Sequence, residues 1–300
     1  MQRDSPPTYH LTGLPVFSLL VTATLWGIAW YPLRVAEAHG LSGLWTTLIV
    51  FGASMVIGLA LFWRQLSEVR QRPLLLFVLA IMNGWLNVAF VLAVIEGNVV
   101  RVILLFYLSP VWSTLLGWWL LDEKLSGISV VTLVVAMCGA VIMLWDPALG
   151  FPWPQDFADW LAITSGIAFS ISNVTIRKLQ SISIRTKSMA AWVGVALVAS
   201  LWILVAHHAV PQVTGVVLFW TVFIGVIMIF IVTFAVQYGV SHMPVYRSAI
   251  ILLFELIAGA VSSQLLSDEV IGATEWLGGG MIMLAAYLSA RSLMRPNTVS

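Results

Sequence analysis

The composition of this 300-residue chain excludes a soluble protein, because 60% of its residues are hydrophobic and only 9% are charged. Soluble domains carry about 25% charged residues. The formal net charge of +1 gives no hint of a nucleic-acid partner. The single cysteine, Cys138, permits neither an internal disulfide nor a cysteine metal site.

Ten apolar runs follow one another along the chain, each long enough to cross roughly 30 Å of hydrocarbon as a helix. Backbone groups in lipid must bond internally, and no run alternates with the period of a barrel strand, so we expect an all-α membrane protein. The first five predicted spans cover residues 14–36, 42–62, 74–95, 99–120 and 127–145. The second five cover residues 159–179, 188–206, 214–241, 246–266 and 271–293.

The predicted spans form two halves of five helices, residues 14–145 and 159–293, joined by a linker over 146–158 that contains Pro and Gly. Tails over 1–13 and 294–300 flank them, and the first tail lacks the features of a cleaved signal peptide. Of the 14 Lys and Arg residues, only Arg34 and Arg101 fall in loops on the side opposite the N-terminus. This asymmetry predicts that both termini are cytosolic and that the linker is extracytoplasmic.

The two halves repeat one another. At an offset of 146 residues, Asp122-Glu123 falls on Asp268-Glu269 and Arg101 falls on Arg247. Near the starts of the halves, an offset of 143 residues gives the further matches Trp26 with Phe169 and Arg34 with Arg177. Because each half has an odd number of spans, the second half must enter the membrane upside down. Inverted repeats of this kind are the architecture of secondary transporters.

Short motifs add a resemblance to a known family. They are Trp26-Gly27, Leu108-Ser109-Pro110, Leu121-Asp122-Glu123-Lys124-Leu125 and the looser Ser267-Asp268-Glu269. With them the chain resembles the EamA-type members of the drug/metabolite transporter superfamily. The resemblance implies ten helices from two EamA repeats, each with an acidic turn before its last helix. The second half has Leu256 where the proline would repeat, so it need not bend there as the first half does.

Tyr107-Leu108-Ser109-Pro110 and the many aromatic residues also resemble the YddG-type aromatic amino-acid exporters. This narrower resemblance implies export of amino acids, with aromatic and bulky apolar ones favoured, by alternating access through a cavity between the two repeats. The alternative is efflux of aromatic or cationic drugs, or of other small metabolites, by the same fold. The expected partners are the small-molecule substrate and the lipid bilayer, and the expected location is the bacterial inner membrane. The oligomeric state stays open, and a monomer suffices.

Motifs for other classes of function are absent from the sequence. It contains no Walker A sequence and neither an H-E-x-x-H nor a G-x-S-x-G motif. We therefore expect no enzyme, no catalytic residue, no cofactor and no direct use of ATP. His207-His208 lacks further apparent ligands, so no metal site is assigned.

Glu255 is the strongest candidate for a functional residue, because it falls near the middle of the ninth span. A carboxylate at that depth costs several kcal/mol unless it is paired, protonated or exposed to water. Such a group suits proton coupling or the binding of an ammonium group. The alternative is a structural carboxyl group that bonds to a neighbouring helix.

Other polar and aromatic residues near mid-membrane complete the expected substrate cavity. Asn83 and Asn87 share one helical face, which the 146-residue offset carries onto the face of Thr233. The full expected set is Trp26, Trp30, Asn83, Asn87, Tyr107, Asn173, Thr233, Gln237, Tyr238 and Glu255. The alternative for the amides is interhelical hydrogen bonding, and the alternative for the rings is packing or lipid contact.

Three further features complete the predictions. Pro110 interrupts the fourth span and is a candidate gating hinge, since proline removes a helix hydrogen bond. The two Asp-Glu pairs are expected to tether the turn before the last helix of each half. Arg101 and Arg247 are expected to be interfacial residues that set orientation.

Overall fold

The computed structural model describes residues 13–145, 153–267 and 272–293, and within these ranges the chain is helical without any strand. The first half contains α1 (Leu14–Ile28), α2 (Trp30–Ala38), α3 (Gly43–Phe62), a 3₁₀ helix (Trp63–Gln71), α4 (Pro73–Glu96), α5 (Val99–Phe106), α6 (Ser109–Leu121) and α7 (Gly127–Leu144). The second half contains α8 (Phe157–Lys178), α9 (Ile184–Val205), α10 (Gly215–His242), α11 (Val245–Leu252), α12 (Phe254–Leu266) and α13 (Ala273–Leu293). Nearly all of the two tails, most of the linker and the pair Asp268-Glu269 lie outside the described residues.

Every predicted span corresponds to a helical segment, so the all-α membrane fold is confirmed. Eight segments among the described residues are long and apolar enough to cross a membrane, and the other two predicted spans are α8 and α13. α8 buries Ser165, Ser170 and Ser172. A helix that is surrounded by protein needs fewer apolar side chains than one that faces lipid, which explains the lower hydropathy of α8.

Short connections join successive segments, so each segment begins at the face of the bundle where the previous one ended. We call the face at which α1 begins the near face, and the opposite one the far face. At the far face, the Trp45 indole donates to the carbonyl of Ala209 at 2.9 Å. At the near face, the backbone amide of Ser183 donates to Glu68 at 2.9 Å. Both contacts join the two halves of the chain.

The helices pack in pairs that the repeat relates to one another. α1 packs against α10 and α12, and its counterpart α8 packs against α4 and α6. α3 pairs with α9, and α7 pairs with α13. Exchanging the halves leaves this pattern unchanged, as expected for two repeats with an odd number of spans.

Two of the segments break at equivalent positions in the middle of the bundle. The break between α5 and α6 lies at Tyr107-Leu108, and the one between α11 and α12 lies at Leu253. Pro110 is in the first turn of α6, just after the break. The second half breaks although it has Leu256 in place of proline, so the inference that it need not bend there requires correction. There the amide of Leu256 donates to the carbonyl of Leu253 at 3.0 Å, in a tighter turn than that of an α-helix.

Neighbouring helices approach both breaks closely. A Cβ atom on Gly166 of α8 would lie 2.8 Å from the carbonyl oxygen of Phe106, just before the first break. A Cβ atom on Gly27 of α1 would lie 2.7 Å from the carbonyl oxygen of Glu255, just after the second break. Glycine is required at both positions because any side chain would push the two helices apart.

A buried apolar cluster closes the near face, and we call it the floor. The floor comprises Leu19, Ala23, Leu76, Leu79, Ile176, Leu179, Ile182, Val240, Met243, Ile251, Leu252 and Ala286. These residues come from α1, α4, α8, α10, α11 and α13 and from the turns beside them, so the floor joins the two halves.

The far face is closed over only part of the bundle. Its cluster draws on α3, α4, α5, α8 and α9, and none of its described members comes from α1, α10 or α12. Consistent with this, the first buried residue of α10 is Ile229, about halfway along the helix. The buried cluster at the near face thus spans α1, α4, α8, α10, α11 and α13, whereas the described members of the one at the far face leave out α1, α10 and α12.

Candidate substrate site

A layer of polar side chains lies directly on the floor. Its members come from α4, α8, α10 and α12, and they are Asn83, Asn173, Gln237 and Glu255. Each is three or four residues from a floor residue of the same segment, namely Leu79, Ile176, Val240 and Ile251. In every case the polar residue is one helical turn closer to the far face. We call this set the polar layer.

Glu255 and Tyr107 bring the two helix breaks together. Tyr107 ends α5, Glu255 lies in the first turn of α12, and the tyrosine side chain lies close enough to the carboxyl group to interact with it electrostatically. The start of a helix carries a partial positive charge that favours an anion there. The described residues contain two ion pairs, Arg101–Asp159 and Arg177–Glu123, so Glu255 has no basic partner among them.

Asn83 and Asn87 lie on the α4 side of the layer. The Asn83 amide group donates to Ser172 of α8 at 2.7 Å and to the carbonyl of Leu79 at 2.9 Å. The Asn87 amide group donates to the carbonyl of Asn83 at 2.9 Å. Asn83 therefore makes the interhelical bond that the alternative interpretation describes, while both amides stay only half-buried.

Asn173 and Gln237 are fully buried, yet each has one polar atom without a partner. Their exposed fractions are 2% and 1%. Nδ2 of Asn173 and Oε1 of Gln237 form no hydrogen bond within the described part of the chain. A buried polar atom left unbonded costs about 1–3 kcal/mol. One helix thus offers a free donor at the polar layer and another offers a free acceptor.

The remaining residues predicted on α10 are placed differently. Thr233 accepts a hydrogen bond of 3.1 Å from the indole of Trp192, so its hydroxyl group is used in packing between α9 and α10. The Tyr238 ring lies 4.2 Å from the ring of His242, an exposed residue at the near-face end of α10. The structure therefore does not bring Tyr238 to the polar layer.

Two predicted tryptophans lie where α1 meets α2. The Trp30 indole donates to Ser262 of α12 at 2.8 Å, and the Ser262 hydroxyl donates to the carbonyl of Gly27 at 3.0 Å. Trp26 packs against a cluster formed by α3, α9 and α10. Both indoles stay half-buried.

A group of phenylalanines at the first break was not predicted from the sequence. The Phe106 ring lies 4.9 Å from that of Phe90 and 5.9 Å from that of Phe169. The 143-residue offset, which sets Phe169 opposite Trp26, was the signal that could have found them. Together with the tryptophans these rings place aromatic groups in both halves near the polar layer.

Pro110 is buried at the start of α6. Its carbonyl accepts a hydrogen bond of 2.7 Å from Thr114. Three residues further along α6, Ser113 donates to Ser170 of α8 at 3.0 Å. Pro110 thus lies just after the break, in a helix that is hydrogen-bonded to α8.

Sequence comparison identifies the family. The profile of the EamA-like transporter family matches the chain twice, over residues 13–145 and 156–291. The chain belongs to the EamA-like transporter family. It is therefore an integral membrane transporter of small molecules, and the resemblance to the drug/metabolite transporter superfamily is confirmed.

Comparison of structures agrees with the fold of an EamA-like transporter. A solved crystal structure of a protein superposes with a TM-score of 0.75 at 18% sequence identity, over 94% of this chain and 99% of that chain. At this identity the likeness shows the fold alone. No match is found among curated proteins.

In this EamA-like transporter the first acidic turn is a tether, as predicted. Both carboxylate oxygens of Glu123 accept the backbone amide of Val245, at 3.0 and 3.1 Å, so the turn after α6 holds the start of α11. Burial raises the pKa of Glu123, while the bond from Val245 and the nearby Arg177 act in the opposite direction. Asp122 ends α6 in the left-handed conformation, with φ of 52°.

Arg101 differs from its expected role at the interface. Its guanidinium group lies 3.3 Å from a carboxylate oxygen of Asp159, whose side chain is only 1% exposed. The same oxygen accepts the backbone amide of Gln155 at 2.8 Å. Arg101 therefore joins α5 to the start of α8 at the far face, and the expectation that it only marks orientation is wrong.

Proposed function

We propose that this EamA-like transporter exports amino acids, with aromatic and bulky apolar ones favoured, across the bacterial inner membrane by alternating access. The observation that carries the proposal is the composition of the polar layer. Among the described residues, Glu255 lacks a basic partner, Gln237 has an acceptor without a hydrogen bond and Asn173 has a donor without one. These groups match the two charged ends of an amino acid.

The proposed arrangement assigns each end of the substrate to its own group. The Glu255 carboxylate and Oε1 of Gln237 accept from the substrate ammonium group, and Nδ2 of Asn173 donates to its carboxylate. Because Asn173 and Gln237 are fully buried in the open state, they meet the substrate when the halves close around it. The rings of Trp26, Trp30 and the phenylalanine group surround the substrate side chain, as expected for a site with few polar anchors.

A proton and an ammonium group compete for Glu255 in this proposal. A carboxylate deep in the membrane requires a compensating positive charge, which either the substrate or a proton supplies. Each transporter then carries one or the other across, so export is driven by proton entry. Pro110 and the two breaks are the hinges at which the half-helices move.

Orientation follows the distribution of basic residues. Arg64, Arg70, Lys178, Arg185 and Arg247 belong to the near face, whereas Arg34 and Arg101 belong to the far face. The near face is then cytosolic, together with both termini. The floor closes the cytosolic side, and we infer that the transporter opens outward beside α10, where the far-face cluster ends.

Flux into proteoliposomes tests the proposal. Labelled phenylalanine, tryptophan and leucine are expected to cross, and an imposed pH gradient is expected to accelerate them in wild type but not in Glu255→Gln. Glu37→Gln is the matched control, since Glu37 is an exposed carboxylate of α2 outside the polar layer. Efflux of aromatic cations is the second candidate, because Glu255 and the rings suit a cation as well. Flux of a cationic dye without flux of any amino acid would establish that candidate and refute ours.

A further inference from the structure

Two basic side chains bind the end of α10 at the near face. Nη1 of Arg177, on α8, donates to the carbonyl oxygen of Ser241 at 2.6 Å. Nζ of Lys187, on α9, donates to the hydroxyl oxygen of Ser241 at 2.5 Å. Ser241 is the second-last residue of α10, and cations are favourable at the negative end of a helix. We call these three residues the near clasp.

Lys187 has an unusual environment for a lysine. Its exposed fraction is 1%, and it takes part in neither of the ion pairs found among the described residues. An ammonium group in such a place requires a specific partner, since burial of an unpaired charge is costly. That partner is Ser241, which ties the buried charge to the closed position of α10.

The first half of the chain also binds the connection between α10 and α11. Glu123 accepts the amide of Val245, the first residue of α11, and one of its oxygens lies 3.9 Å from Nε of Arg177. The turn from α10 to α11 is thus bound both by the α8–α9 hairpin and by the turn after α6. These contacts have to be released before the floor can open.

The repeat supplies an inverted counterpart of the near clasp at the far face. The 143-residue offset carries Arg177 onto Arg34 of α2, and the 146-residue offset carries Ser241 and His242 onto Ile95 and Glu96 at the end of α4. The Arg34 side chain is exposed and makes no hydrogen bond or ion pair within the described residues, and Glu96 is also exposed. The far counterpart is therefore open where the near clasp is closed.

We propose that two sets of contacts at opposite faces form in alternation. The near clasp stabilises the state that is open at the far face, and its far counterpart stabilises the state that is open at the near face. Arg177 and Lys187 on Ser241 hold the near face closed in the state described here. In the opposite state, the Arg34 guanidinium binds the carbonyl end of α4, where Glu96 adds a carboxylate, and holds the far face closed. This inference rests on the alternating access of the proposed function, but it does not depend on the identity of the substrate.

Distances between spin labels test the clasps without any substrate. In a Cys138→Ser background, one pair of labels at Gln180 and His242 reports the near face. A second pair at Glu37 and Val100 reports the far face. All four positions are exposed.

The clasps predict opposite shifts for variants at the two faces. Lys187→Met and the milder Ser241→Ala are expected to favour the state with a long near-face distance and a short far-face distance. The population of that state should rise by about tenfold or more, because each variant loses a hydrogen bond to a charged group. Arg34→Gln is expected to abolish that gain when it is combined with Lys187→Met. Lys178→Gln, an exposed neighbour of the near clasp, should leave both distances unchanged.

Either of two results would overturn the inference. One is that Lys187→Met and Ser241→Ala, correctly folded, keep the wild-type distances at both faces. The other is that Lys178→Gln shifts the populations as much as they do. A distance shift in a protein that transports no amino acid would instead refute the substrate assignment and leave the clasps in place.

Discussion

Replacing Glu255 with glutamine removes the charge of the polar layer and keeps its shape. Glutamine has nearly the same size as glutamate, so the contact of this position with Tyr107 between the two breaks survives. Because no basic partner of Glu255 is found among the described residues, the substitution leaves none of them unpaired. The effect on binding therefore measures what the charge contributes to the ligand.

The expected loss of affinity follows from the chemistry of the contact. A hydrogen bond to a charged group contributes about 1.5–3 kcal/mol, and about 1.4 kcal/mol corresponds to a factor of ten in Kd. Glu255→Gln should therefore weaken phenylalanine binding by about 10- to 150-fold. Without ligand, the melting temperature should stay the same or rise, because a neutral amide is less costly to bury than a carboxylate.

Calorimetric titration of purified protein with phenylalanine gives the affinity, and a thermal melt without ligand gives the stability. Glu37→Gln removes an exposed carboxylate outside the layer and should bind like wild type. An affinity of Glu255→Gln within twofold of wild type would refute the assignment of the ammonium group. So would a matching loss in Glu37→Gln, because the effect would then belong to the overall charge.

Three further changes probe the helix packing, the carboxylate contact and the hinge. Gly194→Ala should destabilise the bundle by about 1–3 kcal/mol, because its Cβ would lie 1.8 Å from the carbonyl oxygen of Ala80. Gly52→Ala, with nothing within 4 Å, is its control in thermal melts, and equal melting temperatures would contradict the prediction. Asn173→Leu should weaken tryptophan binding by about tenfold and leave tryptamine, which lacks the carboxylate, unaffected; equal losses would argue against a carboxylate contact. Pro110→Ala should slow transport at unchanged affinity, and an unchanged rate would exclude it as the hinge.

The sequence predicts the spans well because the signal is local. About 20 apolar residues in a row reveal a membrane helix without knowledge of its neighbours. The inverted repeat was also accessible, since Asp122-Glu123 and Arg34 have recognisable counterparts in the second half. The depth of Glu255 followed from the same count of residues.

The second helix break could not be predicted, because no local signal marks it. No proline or glycine lies in the turn at Leu253. The helix that packs closely beside this break, α1 at Gly27, lies more than 200 residues earlier in the chain. Arg101 is a similar case, because its partner Asp159 belongs to the other half. Its position near a span end gave no sign of this ion pair.

The direction in which a side chain points around its helix was the second feature that could not be predicted from the sequence. α10 is apolar on all sides over most of its length, so its sequence shows the depth of a residue but not the face on which it lies. Gln237 and Tyr238 were both placed at the cavity for this reason. They are successive residues, about 100° apart around the helix axis, and only Gln237 belongs to the polar layer.

The most direct test of the substrate site is photo-crosslinking with a diazirine analogue of phenylalanine, followed by peptide mass spectrometry. The account predicts adducts on residues beside the polar layer, among them Trp26 and Trp30, and their loss in the presence of excess phenylalanine. Trp118 and Trp119, which are 60% and 72% exposed, serve as reporters of non-specific labelling. Adducts confined to these two residues, with no competition by phenylalanine, would contradict a substrate site between the halves.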